Sequence, residues 1–258
     1  MPSLNRKINM KKSGLIVFLI ATYLIGMLIQ TPSQFLNLLL DQYFDKKVTL
    51  ISPEGSLWHG NAHVALNNLQ SHQSIDLGKI AWNVEPMQLL TGKLALNMTW
   101  NDGHPFWITI DASRFHIEHA AFTLPGQVVQ FLVPVIGAAE LGGVISIQAE
   151  NFSLTKNQML GNFEVSWDRV TSPLSAINPL GNYATSFEGD GDRIKIKLKT
   201  QSNGPLFLQG SGEGGLNQPF QFEGSANTLP EQQRQLQQLL QLIGNETTSG
   251  SGIYSFKI

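Results

Sequence analysis

The sequence predicts a mainly β protein: a single N-terminal transmembrane helix, then a β-rich domain built from two similar halves, each of strands plus one helix. Three observations predict it. Apolar and polar residues alternate with a period of two along much of the chain beyond residue 50, the pattern of antiparallel strands with one buried face. A 16-residue run without charge, 14–29, follows a basic N-terminus. Short landmarks recur in the same order in the two parts of the domain.

Composition narrows the function first. The chain has 258 residues, 42% of them apolar, so a sizeable core is available. Only 14% are charged, against about 25% in ordinary soluble domains. A net charge of −2 gives no basis for nucleic-acid binding. With no Cys, disulfides, thiolate catalysis, iron–sulfur clusters and Cys-ligated zinc are excluded.

Arg6, Lys7, Lys11 and Lys12 make residues 1–12 a basic cytoplasmic tail. Residues 13–30 form the span, with Thr22 and Tyr23 the only polar side chains between 14 and 29. That length is at the short end for a bilayer. Met27-Leu28-Ile29-Gln30-Thr31-Pro32 is a poor signal-peptidase site, so the segment reads as an uncleaved anchor. Cations before the span and none just after it place the N-terminus in the cytoplasm and the rest in the periplasm. Residues 31–48 form a membrane-proximal helix or linker, with Phe35, Leu36, Leu38, Leu39, Leu40, Tyr43 and Phe44 at helical spacing and Ser33 as a candidate cap. Its apolar stripe fits either the membrane interface or the face of the domain.

Two halves follow, 49–148 and 149–258. Leu94, Leu96, Met98 and Trp100 alternate with polar or small residues, and Ile194, Ile196 and Leu198 alternate with Arg193, Lys195, Lys197 and Lys199. The same alternation occurs at Ile80-Trp82-Val84, Phe106-Ile108-Ile110, Phe163-Val165-Trp167 and Tyr254-Phe256-Ile258. Asn101-Asp102-Gly103 and Gly189-Asp190-Gly191 mark turns. Pro230 to Ile243 reads as a helix with Leu236, Leu239, Leu240 and Ile243 on one stripe, Pro230 at its start and Gly244 at its stop. Pro125 to Ile136 resembles it. Thr123-Leu124-Pro125-Gly126-Gln127 recurs as Thr228-Leu229-Pro230-Glu231-Gln232, and Ile136-Gly137 as Ile243-Gly244. Leu77-Gly78 with Trp82 is echoed by Leu160-Gly161 with Trp167. Their shared order reads as duplication.

No residues assemble a catalytic, cofactor or metal motif, and none is assigned such a role. His59 and His63, on a strand, have side chains about 13 Å apart, too far for one metal. His116 and His119 point to opposite faces, and His72 and His104 fall in loops. Gly210-Ser211-Gly212-Glu213-Gly214-Gly215 matches G-x-G-x-x-G, but Phe220 to Phe222 continues as strand where a dinucleotide site needs a helix. Asp190 and Asp192 sit in a glycine-rich turn without the further oxygens of a calcium loop.

Gly55-Ser56-Leu57-Trp58-His59-Gly60-Asn61-Ala62, then Leu77-Gly78-Lys79-Ile80-Ala81-Trp82-Asn83-Val84-Glu85-Pro86 and Leu89-Leu90-Thr91-Gly92-Lys93-Leu94, follow the anchor. Pro179-Leu180-Gly181-Asn182-Tyr183 and the Leu-rich helix ending at Gly244 come later. Together they resemble the protein N family of the bacterial type II secretion system. The resemblance implies a non-enzymatic, single-pass inner-membrane component of the apparatus that exports folded proteins across the outer membrane. The partners it implies are other type II secretion subunits, of the inner-membrane platform and the periplasm. Its motifs mark turns and core positions, so it carries no catalytic residue onto this chain.

The competing reading is a periplasmic carrier or sensor of lipid or another apolar ligand, with an AsmA-like β-groove. An uncovered groove lined by Leu94, Leu96, Met98, Ile194, Ile196 and Leu198 would favour it. Packing of those residues against helices favours the secretion subunit. For the latter, two contact surfaces are readable: the basic strand face of Lys195, Lys197 and Lys199, and the strand Tyr254 to Ile258 if it lies at a sheet edge.

Overall fold

The computed structural model describes residues 4–68, 73–132, 139–202, 204–216, 219–248 and 250–257; within the first helix, side chains are described over 14–24 and 26–29. That helix, α1, spans Leu4–Ile29, and α2 spans Phe35–Phe44. The strands are β1 (Val48–Gly55), β2 (His59–Asn68), β3 (Gln73–Val84), β4 (Leu94–Trp100), β5 (Phe106–Ile110), β6 (Arg114–Glu118), β7 (Ala120–Pro125), β8 (Gly142–Thr155), β9 (Met159–Thr171), β10 (Gly181–Gly191), β11 (Arg193–Thr200), β12 (Leu206–Gly215), β13 (Gln221–Thr228), β14 (Asn245–Glu246) and β15 (Ile253–Lys257). α3, Gln233–Ile243, lies between β13 and β14.

All of these strands belong to one sheet, in the order β1-β2-β3-β4-β5-β6-β8-β9-β10-β11-β12-β13-β15-β14, with β7 also on β8. Every pairing is antiparallel, mostly between sequence neighbours, as tight turns allow and parallel crossovers do not. The expected turns supply the reversals: Asn101 and Asp102 take φ of 49° and 55° between β4 and β5, and Gly191 takes 79° between β10 and β11. β6 and β7 are one strand broken at His119, φ 53°, and both lie along β8. Residues 148 and 149 fall inside β8, so the sheet runs through that midpoint without a break.

The period-two pattern becomes two faces. Register places Val84, Leu96, Ile108, Ile117 and Phe152 on one transverse row, and Phe163, Phe187, Ile196, Gly212 and Phe222 on another. The opposite face carries polar residues such as Glu164, Ser186, Lys197, Ser211 and Glu223. Helices cover the apolar face at two places. Leu36 and Leu40 of α2 pack on Leu50, Val64, Trp82 and Val84. Leu236, Leu239 and Leu240 of α3 pack on Val170, Tyr183, Leu206, Ala226 and Tyr254. Between them Phe106, Ala120 and Ala149 centre an aromatic cluster in which Phe122 lies 5.7 Å from Trp100 and 6.1 Å from Phe106.

Several expectations change. Ser33 does not cap α2: the N-cap is Gln34, no side-chain cap bond forms there, and the buried Ser33 Oγ has no hydrogen-bond partner. Its backbone N–H instead donates to Gly55 O at 3.2 Å, which draws Ser33 into the interior. The later helix starts at Gln233, three residues after Pro230. Gly244 ends it in an extended conformation, φ −172°; glycine is needed because a Cβ would strike Ser255 O. Of Pro125 to Ile136, the described part is a 3-10 turn, Gly126–Val128, and one helical turn, Val129–Leu132; the landmark Ile136-Gly137 and His72 lie outside the described residues. Among the described residues, no helix is long and apolar enough to cross a membrane.

Candidate functional site

The most closely specified polar region joins α1 to the sheet. Trp58 Nε1 donates to Leu28 O at 2.9 Å. Leu57 N–H donates to Thr31 O at 2.9 Å, and Pro32 forms a β-bridge with Ser56. Together with the Ser33–Gly55 bond, these contacts fix the last turn of α1 against the β1–β2 turn.

The Gly55–Ala62 segment is built for this. Gly55 takes φ 87°, and a Cβ there would strike His59 O. Ser56 Oγ accepts from the N–H groups of Trp58 at 3.2 Å and His59 at 3.3 Å, which closes the turn. Gly60 leaves room for Trp82, whose ring would stand 2.7 Å from a Cβ at that position. The Trp82 indole N–H is shared between Ser56 O at 3.3 Å and Leu57 O at 3.2 Å. A similar arrangement recurs on β9, where Trp167 Nε1 donates to Gly142 O at 3.0 Å. Gly78 on β3 and Gly161 on β9 both sit at register irregularities with φ of 133° and 98°.

Among the described residues the histidines are not brought together. His63 Nδ1 lies 3.1 Å from Asp76 Oδ2 on an exposed part of the sheet, and His116 Nε2 lies 3.2 Å from Glu118. His59 lies 3.3 Å from Ser56 Oγ, His104 is in the β4–β5 loop, and His119 is at the β6–β7 break. Among the described residues no group of three or more His, Asp or Glu is placed to hold a metal. Gly210–Gly215 runs along β12 in mid-sheet. There Gly210 and Gly212 make space for the Phe222 ring, and Gly214 for Phe220. Asp190 pairs with Arg193 across the β10–β11 turn.

The lysine face is not strongly basic. Lys195 stands opposite Glu188 on β10 and Glu213 on β12, and the row of Lys197 continues through Ser211 to Glu223. Glu223 accepts from Lys257 Nζ, a bond that holds its carboxyl below the usual range and links β13 to β15. Asp111 is likewise held low by the Ser113 backbone N–H and hydroxyl and the Arg114 N–H. The C-terminal strand is edge-like only in part, because β14 pairs Asn245 with Ser255 and Glu246 with Tyr254.

Leu94, Leu96 and Met98 pack into the cluster beneath α2, and Leu198 joins the one beneath α3. Ile194 and Ile196 are half-buried against β10 and β12. All six residues expected to line an open groove are half-buried, and four of them pack against the two clusters under the helices. Sequence reasoning missed the Trp58–Leu28 bond and a two-way pairing of Asn37 with Leu50. The Gly-Ser-Leu-Trp turn directly after the apolar run was the available signal for the first; the second joins residues 13 positions apart and leaves no local pattern.

A family model described as type II secretion system (T2SS), protein N, matches residues 46–256. The match begins two residues before β1 and ends within β15, so it covers the whole sheet path and leaves out α1 and α2. No curated protein and no solved structure matches.

Proposed function

Because the chain belongs to the type II secretion system protein N family, and so takes part in type II secretion, we propose that it is a non-enzymatic inner-membrane subunit that holds a periplasmic sheet against other subunits. α1 is the anchor, with residues 1–12 in the cytoplasm. The sheet stands in the periplasm and supplies contact surface to the platform and periplasmic components.

One observation carries this reading: the Trp58–Leu28, Leu57–Thr31 and Ser33–Gly55 bonds weld the sheet to the end of the apolar helix. A loosely tethered carrier has no use for such a weld, whereas a subunit held in register with membrane partners does. Large apolar side chains from Leu15 to Leu24 and from Met27 to Ile29 are exposed along α1, surface that calls for an apolar surrounding at about 25 cal/mol per Å². The same reading takes 49–148 and 149–258 as duplicated halves, supported by the Trp82 and Trp167 indole bonds and the bulge glycines Gly78 and Gly161.

The test is recovery of partners. Tagged full-length chain, extracted in mild detergent from secreting cells, is expected to bring down inner-membrane subunits of the apparatus. A Trp58→Phe variant, which keeps an aromatic ring, though a smaller one, but not the N–H, is expected to fold and bring down less. Recovery of the chain alone, where the other subunits recover one another, contradicts the proposal.

A further inference from the structure

We propose that the sheet end beside α1 docks on the bilayer itself, with the outer face of α2 and the Pro86–Leu90 turn seated in the headgroup region that α1 enters. This rests on reading α1 as the anchor.

The placement follows from a chain of bonds. Trp58 holds Leu28, the next-to-last residue of α1, through its indole, and its carbonyl accepts from Val84 N–H at 2.6 Å. Val84 ends β3, three residues before Met87. Ser33, bonded to Gly55, lies two residues before α2. The apolar run, the start of α2 and the Pro86–Leu90 turn therefore meet at one end of the sheet.

Both pieces expose apolar side chains there. α2 uses Leu36 and Leu40 on the sheet, and Asn37 on the edge of β1. Its other side leaves Leu38 65% exposed, with Phe35, Leu39 and Tyr43 also out. A helix apolar on both sides calls for a second apolar surrounding. On the turn, Met87 is 72% and Leu90 81% exposed. The occupant is identified by what lies next to them: the apolar run ends at Ile29, within one turn of Trp58, so the bilayer surface passes this point. Exposed Lys93, just after the turn, is placed to meet lipid phosphates, as basic residues beside a membrane do.

The absence of Cys in the chain gives a direct test. Single Cys substitutions Leu38→Cys, Leu90→Cys, Ile20→Cys and Lys197→Cys are labelled with a nitrobenzoxadiazole fluorophore. Each full-length protein, checked for native circular dichroism, is reconstituted in phosphatidylethanolamine–phosphatidylglycerol vesicles containing nitroxide-labelled phospholipid. The expected result is loss of fluorescence at Leu38, Leu90 and Ile20, and none at Lys197 on the polar face. Quenching at Ile20 with Leu38 and Leu90 behaving like Lys197 overturns the docking and leaves the anchor standing. No quenching at Ile20 overturns the anchor and the docking with it. A blue shift at Leu90 without lipid quenching means that protein covers the patch, and also overturns the proposal.

Discussion

Asn37 pairs in both directions with the backbone of Leu50: its Nδ2 donates to Leu50 O at 2.9 Å, and its Oδ1 accepts from Leu50 N–H at 2.8 Å. A side chain thus takes the place of a neighbouring strand at the β1 edge, the first edge of a long sheet. Exposed edges template unwanted pairing, and here α2 closes one. Asn37→Ala is expected to cost about 1–3 kcal/mol by leaving both groups unpartnered, and to raise the tendency to self-associate. Denaturant melts and sedimentation velocity check this; an unchanged melt with no new oligomer contradicts it.

Ser33 gives the opposite sign. Its Oγ is buried without a partner, and such a group costs about 1–3 kcal/mol. Ser33→Ala is therefore expected to leave stability unchanged or raise it. A loss above about 1 kcal/mol in a urea melt would show that the hydroxyl has a partner.

Leu239 and Leu242 separate the two sides of α3. Leu239 is 2% exposed and packs on the sheet, while Leu242 is 36% exposed. Leu239→Ala is expected to cost about 2–5 kcal/mol, and Leu242→Ala under about 0.5 kcal/mol. Equal losses would mean that α3 does not pack as described.

Tyr183 supplies a pH signature. Burial pushes its phenol above the ordinary value, so the folded state holds the proton more tightly than the unfolded chain. That contribution is intact below the ordinary phenol pKa of about 10 and is lost progressively as pH rises above it toward the higher folded-state value. Its hydroxyl also bonds Leu206 O at 2.9 Å. Tyr183→Phe is expected to be less stable than the parent at pH 7 by about 1–3 kcal/mol. The gap should narrow near pH 10.5, where only the parent loses the contribution. Urea melts at both values measure it, and a constant gap contradicts it.

The strands were legible because a one-sided sheet writes its register into every second residue. Leu94 to Trp100 and Arg193 to Lys199 read correctly for that reason. What sequence misjudged depended on neighbours brought in by pairing. Lys195 looked part of a basic face until Glu188 and Glu213 came to stand beside it. Ser33 looked like a cap because the residue type suits one, but its backbone was already engaged by Gly55. Gly244 ended its helix as expected, through close approach to Ser255 and not through a left-handed turn. The turn at Gly55–Ala62 was legible as a motif, while its bond to Leu28 needed the folded chain.

Membership of the protein N family gives this chain a part in type II secretion. The most direct measurement is the location of an enzyme known to leave the cell by that route, in a strain lacking this gene. The enzyme is expected to accumulate in the periplasm and to return to the medium when the full-length chain is restored. Normal release into the medium without the chain would contradict it.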